Sequence, residues 1–437
     1  MAVRLAQRGQ VPPFRAMDIL KPVDELKAQG RETFLLCLGQ PSTPAPAPVL
    51  AAAEQALQAN ALGYTAANGL PALRERIARH YADTYGASVN PDHIVVTTGS
   101  SAAFTAIFLA AFAPGDAVVL TRPGYPAYRN TLSALGCRVL DLDCGPATRW
   151  QPTVQLLDAL VEREGGKAPA GLIIASPANP TGTILGEREL GEICAWCDEH
   201  GVLLISDEIY HGISYGAQCA SATQFAGGAA ARQGVQAPQS GGTVAVEANS
   251  SAVGLGGSAL GQSNITVGSF SKYYSMTGWR LGWAVLPEPL VRPAELLLGN
   301  LNLSAPTLSQ IAALAAFSEE AVAELDRHVQ RYRENRDIVL SQIAMLDCPQ
   351  PAPADGAFYC YLDVSAFTGD STRFAQELLQ ATGVAVTPGV DFAVDGTGSA
   401  ALDGSRFVRI SYAGDTATVR EGMRRLVEYV NGSEKLA

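Results

Sequence analysis

Short apolar runs that alternate with longer helical patterns constrain the fold of this chain more than any other feature of its sequence. The runs lie at residues 93–98, 117–121, 172–175, 202–206 and 265–268. Parallel strands are typically short and apolar because both faces of their sheet are buried, and each pair needs a crossover helix. The alternation therefore predicts an α/β fold whose large domain contains a doubly wound, mostly parallel sheet.

Proline-rich stretches divide the 437 residues into three parts. We expect an N-terminal arm at residues 1–40, which joins the smaller domain, and a large domain at residues 41–290. Residues 291–437 should supply an interdomain helix and a small α+β C-terminal domain, with strands near residues 357–363 and 407–412. A chain of this length commonly forms two domains.

Residues 217–263 fit neither pattern, because Gly, Ala, Ser and Gln dominate them and charged side chains are almost absent. This composition predicts a loosely packed surface insertion in the large domain that is dispensable for catalysis. The alternative is a lid, since the segment joins two predicted strands. Residues 254–259 match the G-x-G-x-x-G/A pattern of dinucleotide loops, but no clear strand precedes them. A nicotinamide-dependent oxidoreductase would depend on this match alone.

The charge and apolar pattern restrict the partners of the chain. The formal net charge is −11, and the basic residues are scattered. Such a chain lacks the basic surface that binds nucleic acids or anionic membranes, so small molecules are the expected partners. The first 14 residues lack the apolar core of a signal peptide, and no stretch of 18 apolar residues is present to form a transmembrane helix. We expect a soluble, cytoplasmic protein.

Eight cysteines are spread along the chain without the spacing of a disulfide framework. Their scatter favours free thiols in a reducing compartment. Cys194 and Cys197 form one CxxC, but they share a predicted helical face with Leu190 and Ile193, and no second pair completes a metal site. We interpret the pair as core packing rather than redox or metal chemistry, and expect no metal site.

Two segments have the composition of a phosphate site. Ser100 and Ser101 lie where the first apolar run passes into a helical pattern, and free backbone N–H groups at such a turn suit an anion. Taken alone, these residues also fit an ordinary helix cap. Ser269, Ser271 and Arg280 follow the last apolar run, and two hydroxyls with a guanidinium suit a phosphate dianion.

Three further residues have functional groups that suit an aromatic aldehyde cofactor. Lys272 follows a predicted strand, where burial lowers the pKa of an amine and makes it nucleophilic, although a solvated lysine is the simpler alternative. Asp207 follows another predicted strand, and a carboxylate at that edge can pair with a protonated pyridine nitrogen. Asn179 can donate to a phenolic oxygen or simply form an Asn-Pro turn.

Taken together and in this order, these segments resemble the class I and II aminotransferases, which belong to the fold-type I enzymes that depend on pyridoxal 5′-phosphate (PLP). The similar motifs lie at residues 39–41, 63–65, 98–101, 123–128, 179–182, 207–210, 269–280 and 409–412. The spacing from Tyr210 to Ser269 is longer than the family usually has, and the excess falls in residues 217–263.

The resemblance implies that Lys272 forms a Schiff base with the cofactor, that Asp207 pairs with its ring nitrogen, and that Tyr210 lies at its ring hydroxyl. Tyr125 would stack on the ring. Tyr64 would reach the phosphate from the other subunit of a homodimer with shared active sites. The remaining implied cofactor contacts are Ser100, Ser101, Asn179, Ser269, Ser271 and Arg280.

Substrate binding is implied for Gly39, Asn179 and Arg409, with Arg409 holding the α-carboxylate. The implied reaction is a ping-pong transamination between an L-amino acid and a 2-oxo acid, in which Lys272 moves the Cα proton. The motifs place no second arginine for a side-chain carboxylate, so the sequence leaves the choice of amino acid open.

Two alternatives share the cofactor. A C–S β-lyase, or a related lyase of the same fold, would carry every motif above. A PLP-binding transcriptional regulator would need an N-terminal DNA-binding domain, for which too few residues precede Gly39.

Overall fold

A computed structural model of the protein describes residues 3–13, 19–60, 62–226, 264–393 and 399–432. The strands in these ranges are β1 (Phe34–Leu35), β2 (Ile94–Thr97), β3 (Ala117–Arg122), β4 (Arg138–Asp143), β5 (Gly171–Ala175), β6 (Leu203–Asp207), β7 (Asn264–Ser269), β8 (Gly282–Val285), β9 (Tyr359–Asp363), β10 (Val384–Ala385), β11 (Thr387–Pro388) and β12 (Phe407–Ser411). The α-helices are α1 (Leu20–Ala28), α2 (Ala47–Gln58), α3 (Pro71–Tyr85), α4 (Gly99–Ala111), α5 (Pro126–Ala134), α6 (Val154–Arg163), α7 (Glu187–His200), α8 (Glu288–Leu301), α9 (Thr307–Ala313), α10 (Glu319–Ile343), α11 (Ser371–Thr382) and α12 (Thr416–Gly432).

The central layer is a seven-stranded sheet with the order β2-β8-β7-β6-β5-β3-β4. Strand β8 runs antiparallel to both of its neighbours, and the other pairings are parallel. The five apolar runs all form strands of this sheet, each within one residue of its predicted ends. The doubly wound, mostly parallel sheet is therefore confirmed.

Two strands of this sheet escape prediction from the sequence. Strand β4 lies at the sheet edge, and Arg138, Asp141 and Asp143 interrupt its apolar pattern, as is typical of edge strands. Strand β8 has only four residues and begins at Gly282. A Cβ on Gly282 would lie 2.7 Å from the backbone nitrogen of Ser100, so the glycine lets β8 pass close to the start of α4.

Helices cover both faces of the sheet because its strands are apolar on both sides. On one face, Phe104 of α4 and Leu298 of α8 share a buried cluster with Ile173 of β5. On the other, Ile193 of α7 shares a cluster with Leu172, the preceding residue of β5. Side chains alternate along a strand, so neighbouring residues of β5 serve opposite layers of the core.

The C-terminal part contains a three-stranded antiparallel sheet with the order β11-β12-β9. Strand β1 pairs in parallel with β10, so the N-terminal arm packs on this part of the chain. Val23 and Leu26 of α1 share a buried cluster with Leu379 and Ala385. The residues that follow β1 consequently run beside β12, where Ser411 donates from its backbone nitrogen to the carbonyl oxygen of Leu36 at 2.7 Å.

Residues 217–226 do not form the loose surface segment that their composition predicts. Ala220, Ser221 and Ala222 are buried, and Ser221 caps a short 3-10 helix. The backbone N–H of Ala222 donates to the carboxylate of Glu208 at 2.8 Å. Small residues can pack this closely against a buried carboxylate, so the prediction is wrong for this stretch. Residues 227–263, which include the dinucleotide-like match and most of the predicted insertion, lie outside the described residues.

The CxxC pair lies in the core. Cys194 and Cys197 are 2% and 0% exposed, and burial raises the pKa of the Cys197 thiol. Buried thiols with a raised pKa are inert packing groups. In the described part of the chain, no three or more His, Cys, Asp or Glu side chains are grouped to hold a metal ion. No described helix is both long enough and apolar enough to cross a membrane.

Candidate active site

Most of the predicted site residues meet in one cavity of about 390 Å³. Strands β2, β5, β6 and β7 run in the same direction, so the turns at their carboxyl ends converge at one edge of the sheet. The predicted residues that line the cavity are Gly39, Ser100, Ser101, Tyr125, Asn179, Asp207, Tyr210, Ser271, Lys272, Arg280 and Arg409.

Lys272 follows β7, and its amine points into the cavity. The Nζ atom donates to the backbone oxygen of Gly39 at 2.6 Å. Burial, together with the positive charges of Arg409 and Arg280, lowers the pKa of Lys272 to about 8, and the charge of Asp207 opposes the shift. An amine with this pKa loses its proton readily near neutral pH, which a nucleophile requires.

Asp207 is the last residue of β6 and is fully enclosed at the base of the cavity. Burial raises the pKa of its carboxyl to about 6, against the opposing effect of hydrogen bonds from the Tyr128 hydroxyl and the Ile209 N–H and of the charge on Lys272. A buried carboxylate gains stability from a cationic partner. Asp207 is therefore placed to pair with a cation bound in the cavity.

The start of α4 gives the cavity a part that suits an anion. The helix begins at Gly99, and Ser100 and Ser101 of its first turn, where backbone N–H groups have no partner within the helix, line the cavity. A Cβ on Gly99 would lie 2.5 Å from the Nη2 atom of Arg280, so the guanidinium approaches the helix start closely because the residue is glycine. Thr277 orders the segment that precedes Arg280 by donating to the carbonyl oxygen of Ser271 at 2.7 Å.

Two predicted residues do not line this cavity. The Ser269 hydroxyl accepts the backbone N–H of Ser271 at 3.1 Å, and the residue lines a neighbouring cavity of about 280 Å³ instead. The structure thus does not support the predicted contact of Ser269 with a phosphate group here. Tyr64 lies on the surface of the chain and is 84% exposed.

Arg409 extends from β12 and is buried among neutral hydrogen-bond partners. One guanidinium nitrogen donates to the Asn179 side-chain oxygen at 2.9 Å, and the other donates to the Cys37 carbonyl at 2.6 Å. The rings of Tyr359 and Phe392 lie 4.5 and 4.8 Å from the guanidinium carbon. Its Nε atom has no hydrogen-bond partner among the described residues. The group is a buried cation with donor capacity left for a carboxylate.

The roles of three residues of this site are not predicted from the sequence. Tyr128 donates to Asp207, Thr277 orders the turn before Arg280, and Tyr359 contacts both Arg409 and Tyr210. Tyr128 belongs to the motif at residues 123–128, which is the signal that points to it. Tyr359 stands in an apolar strand pattern, where nothing distinguishes it from a core residue.

A comparison with known families decides what kind of protein this is. The sequence model of the family described as "Aminotransferase class I and II" matches residues 31–426. The chain belongs to the class I and II aminotransferases. It is an enzyme that transfers an amino group between an amino acid and a 2-oxo acid, as the sequence predicts.

Individual relatives are similar in sequence to the aminotransferase over nearly its whole length. It is 45% identical to the valine–pyruvate aminotransferase of Mycobacterium tuberculosis over 426 residues. The matched region covers 98% of each of the two chains. It is 31% identical over 418 residues to the (5-formylfuran-3-yl)methyl phosphate transaminase of Methanocaldococcus jannaschii, covering 96% of this chain and 97% of the other. These similarities favour transamination over the lyase, regulator and oxidoreductase alternatives.

Solved structures give the same result for the fold. An aminotransferase from Mycobacterium tuberculosis superposes with a TM-score of 0.85 at 42% identity, covering 99% of this chain and all of the other. The aspartate aminotransferase of Thermus thermophilus with maleate superposes with a TM-score of 0.83 at 27% identity, covering 98% of this chain and all of the other. The fold-type I architecture of the aminotransferase is therefore confirmed.

Replacing Lys272 with methionine should stabilise the ligand-free aminotransferase in a pH-dependent manner. Below about pH 8 the lysine is protonated in both the folded and the unfolded state, and burying the charge costs stability. Between about pH 8 and the usual value of 10.5 only the unfolded state keeps the proton, so the cost falls as the pH rises. A shift from 10.5 to about 8 corresponds to about 3 kcal/mol, so we expect Lys272→Met to raise the free energy of unfolding by about 3 kcal/mol at pH 7 and by much less at pH 10.5.

Urea unfolding of both proteins at a series of pH values measures this difference. Lys167→Met, at an exposed lysine, is the control and should change the unfolding free energy little at any pH. A stability difference between Lys272→Met and the parent that stays constant from pH 7 to pH 10.5 would contradict the lowered pKa.

Proposed function

We propose that this aminotransferase uses pyridoxal 5′-phosphate held by Lys272 and follows a ping-pong mechanism. The observation that carries the proposal is the amine of Lys272, which lies in the cavity with one carboxylate, that of Asp207, and the guanidinium groups of Arg280 and Arg409. When bound, the cofactor supplies an aldehyde that condenses with amines and a ring that withdraws electrons from the α-carbon of the substrate.

The donor set of the cavity fits each part of that cofactor. Asp207 is a buried carboxylate with a raised pKa that forms no ion pair with the described residues, and a protonated ring nitrogen would supply a cationic partner. The start of α4, with Ser100, Ser101 and Arg280, suits the phosphate dianion. The other proposed contacts of the cofactor are Tyr125, Asn179, Tyr210 and Ser271.

Lys272 and Arg409 act on different groups of the substrate. We assign the α-carboxylate to Arg409, because its buried Nε atom has no hydrogen-bond partner among the described residues and its other nitrogens donate to neutral groups. Gly39 and Asn179 are the other residues proposed to lie beside the substrate carboxylate. The amine of Lys272, with its pKa near 8, acts as a general base that accepts the proton of the α-carbon. The resulting ammonium then acts as a general acid and gives a proton back later in the half-reaction. The leaving 2-oxo acid and the second 2-oxo acid both carry this carboxylate, so one arginine serves both half-reactions.

We further propose a neutral aliphatic amino acid as the amino donor and pyruvate as an acceptor. The relative from Mycobacterium tuberculosis is named for valine and pyruvate. Among the described residues that line the cavity, the cations are Lys272, Arg280 and Arg409, and each already has an assigned partner. No cation of this set remains for a side-chain carboxylate, whereas Leu20 and Leu38 add apolar surface.

Tyr64 supports a proposal about assembly. This large residue is 84% exposed in the single chain, and its loop is held by a hydrogen bond from Thr307 to the Gly63 carbonyl at 2.6 Å. We propose a homodimer in which Tyr64 reaches the phosphate of the partner's cofactor, so that two active sites are shared. None of the eight cysteines is in a disulfide, which supports a reducing compartment, for which we propose the cytoplasm.

Covalent labelling combined with a donor screen tests the proposed function. Borohydride reduction of the enzyme loaded with PLP should attach a pyridoxyl group to Lys272, as located by peptide mapping. In a separate assay of the unreduced enzyme, valine should transfer its amino group to pyruvate at least about tenfold more efficiently than aspartate does, because no cation of the described lining is left to receive the second carboxylate. A label on another lysine would overturn the assignment of Lys272, and efficient use of aspartate would overturn the substrate proposal.

Arg409→Lys should weaken substrate binding while PLP stays bound. Lysine keeps the charge but cannot form the paired hydrogen bonds of a guanidinium, so the KM values for valine and for pyruvate should both rise by about tenfold or more. Arg406→Lys is the matched control, since Arg406 directly precedes β12, the strand that carries Arg409, and pairs with Asp363 at 2.9 Å, outside the cavity. Unchanged KM values in Arg409→Lys would refute the assigned role.

Mixing two defective variants tests the shared site. Tyr64→Ala should lower PLP affinity, and Lys272→Ala should abolish turnover. In a hybrid dimer, the site that keeps Lys272 receives Tyr64 from the other chain, so mixing after subunit exchange should restore up to about one quarter of the parent activity. Sedimentation confirms the dimer in the same samples. Absence of any restoration in a proven hybrid would show that Tyr64 does not act across the interface.

A further inference from the structure

Tyr359 is a buried residue of the cavity to which the sequence assigns no role. It begins β9, is 1% exposed and lines the cavity beside Arg409. The register of β9 and β12 explains its place: Tyr361 lies opposite Arg409, so Tyr359 is a diagonal neighbour on the same face. Strand pairing thus brings the Tyr359 ring to the guanidinium.

The ring of Tyr359 forms one face of a sandwich around Arg409. Its centroid lies 4.5 Å from the guanidinium carbon, and the ring of Phe392 lies 4.8 Å away. The interaction of a cation with an aromatic face is stronger when the pair is shielded from water, and all three side chains are buried. The two rings therefore restrict the plane in which Arg409 presents its N–H groups.

The hydroxyl of Tyr359 makes a second and separate contact. It lies 2.7 Å from the hydroxyl of Tyr210. Burial raises the pKa of both phenols, so both keep their protons and one donates to the other. A Cβ on Gly39 would overlap the Tyr359 hydroxyl, so the glycine lets this hydroxyl reach Tyr210 beside the carbonyl to which Lys272 donates.

We infer that Tyr359 is a positioning residue that joins the two ends of the substrate site. Its hydroxyl orients Tyr210 toward the ring hydroxyl of the cofactor, and its ring orients Arg409 toward the substrate carboxylate. The inference rests on the proposed function, from which it takes the roles of Tyr210 and Arg409. A tyrosine that only filled the core would contribute to stability but to neither of these properties.

The two contacts can be separated by substitution in the holoenzyme. Tyr359→Phe removes the hydroxyl and keeps the ring on Arg409, whereas Tyr359→Leu removes both. Phe392→Leu removes the opposite ring and leaves Tyr210 untouched. Tyr215→Phe is the matched control, because it removes a buried tyrosine hydroxyl that donates to the Ala357 carbonyl at 2.5 Å, in the same core cluster but outside the cavity.

Two measurements on these variants report on the two ends of the site. The pH midpoint of the absorbance change of bound cofactor reports on the environment of its ring hydroxyl, and therefore on Tyr210. The dissociation constant of 3-methylbutanoate, a carboxylate without an amino group, reports on Arg409 and is obtained from the same absorbance.

For Tyr359→Phe we expect the pH midpoint to rise by about 0.5 unit, with the 3-methylbutanoate constant changed by less than about twofold. For Tyr359→Leu we expect the same rise and a constant weakened by about fivefold or more. Phe392→Leu should weaken the constant without moving the midpoint, and Tyr215→Phe should change neither.

An unchanged midpoint in Tyr359→Phe would overturn the role of the hydroxyl, and equal 3-methylbutanoate affinity in Tyr359→Phe and Tyr359→Leu would overturn the role of the ring. If Tyr359→Leu does not fold, unaltered affinity in Phe392→Leu refutes the sandwich instead. A parent enzyme that holds no cofactor on Lys272 would refute the proposed function together with this inference. If the parent holds the cofactor on Lys272 but the Tyr359 variants change neither measurement, only the inference about Tyr359 is refuted.

Discussion

The parallel pairing of β6 with β7 is the constraint on which the rest of the site depends. Asp207 lies opposite Val267 in this pair, so the carboxylate at the end of β6 and the lysine just beyond β7 leave the sheet at the same edge. Both strands are central and buried on both faces, which fixes their register. The strand ends from which Asp207 and Lys272 extend are therefore held side by side by backbone hydrogen bonds, and the remaining groups are arranged around this pair.

Charge balance explains why such a site favours anionic ligands. The described lining contains three cations and one acid, Asp207. Arg409 and Arg280 lower the pKa of Lys272, which means that the positive groups repel each other across the cavity. A phosphate and a carboxylate bound at the two arginines would relieve this repulsion and would help to retain the charge of a protonated partner at Asp207. The mutual repulsion of these cations therefore favours the binding of anionic groups in the cavity.

The sequence predicts the parts of the structure in which local pattern and tertiary packing agree. Apolar runs flanked by glycine and proline turns identify the parallel strands and, with them, Lys272 and Asp207. Strand β4 is missed because an edge strand carries charges. Tyr359 is missed because a tyrosine that serves the site and one that fills the core have the same neighbours in the sequence. Residues 217–226 are misread because their small side chains pack against Glu208, a contact that composition does not encode.

The N-terminal arm contacts two residues of the proposed active site although it is far from both of them in the sequence. Strand β1 pairs with β10, and this pairing carries the arm past β12, where the Cys37 carbonyl accepts from Arg409 and also from Thr387. Two residues later the Gly39 carbonyl accepts from Lys272. The arm therefore supplies two backbone acceptors, one for the cation assigned to the substrate carboxylate and one for the nucleophile. Backbone carbonyls cannot be removed by substitution, so the sequence can vary in the arm without loss of these contacts. Gly39 is the exception, since any side chain there would collide with Tyr359.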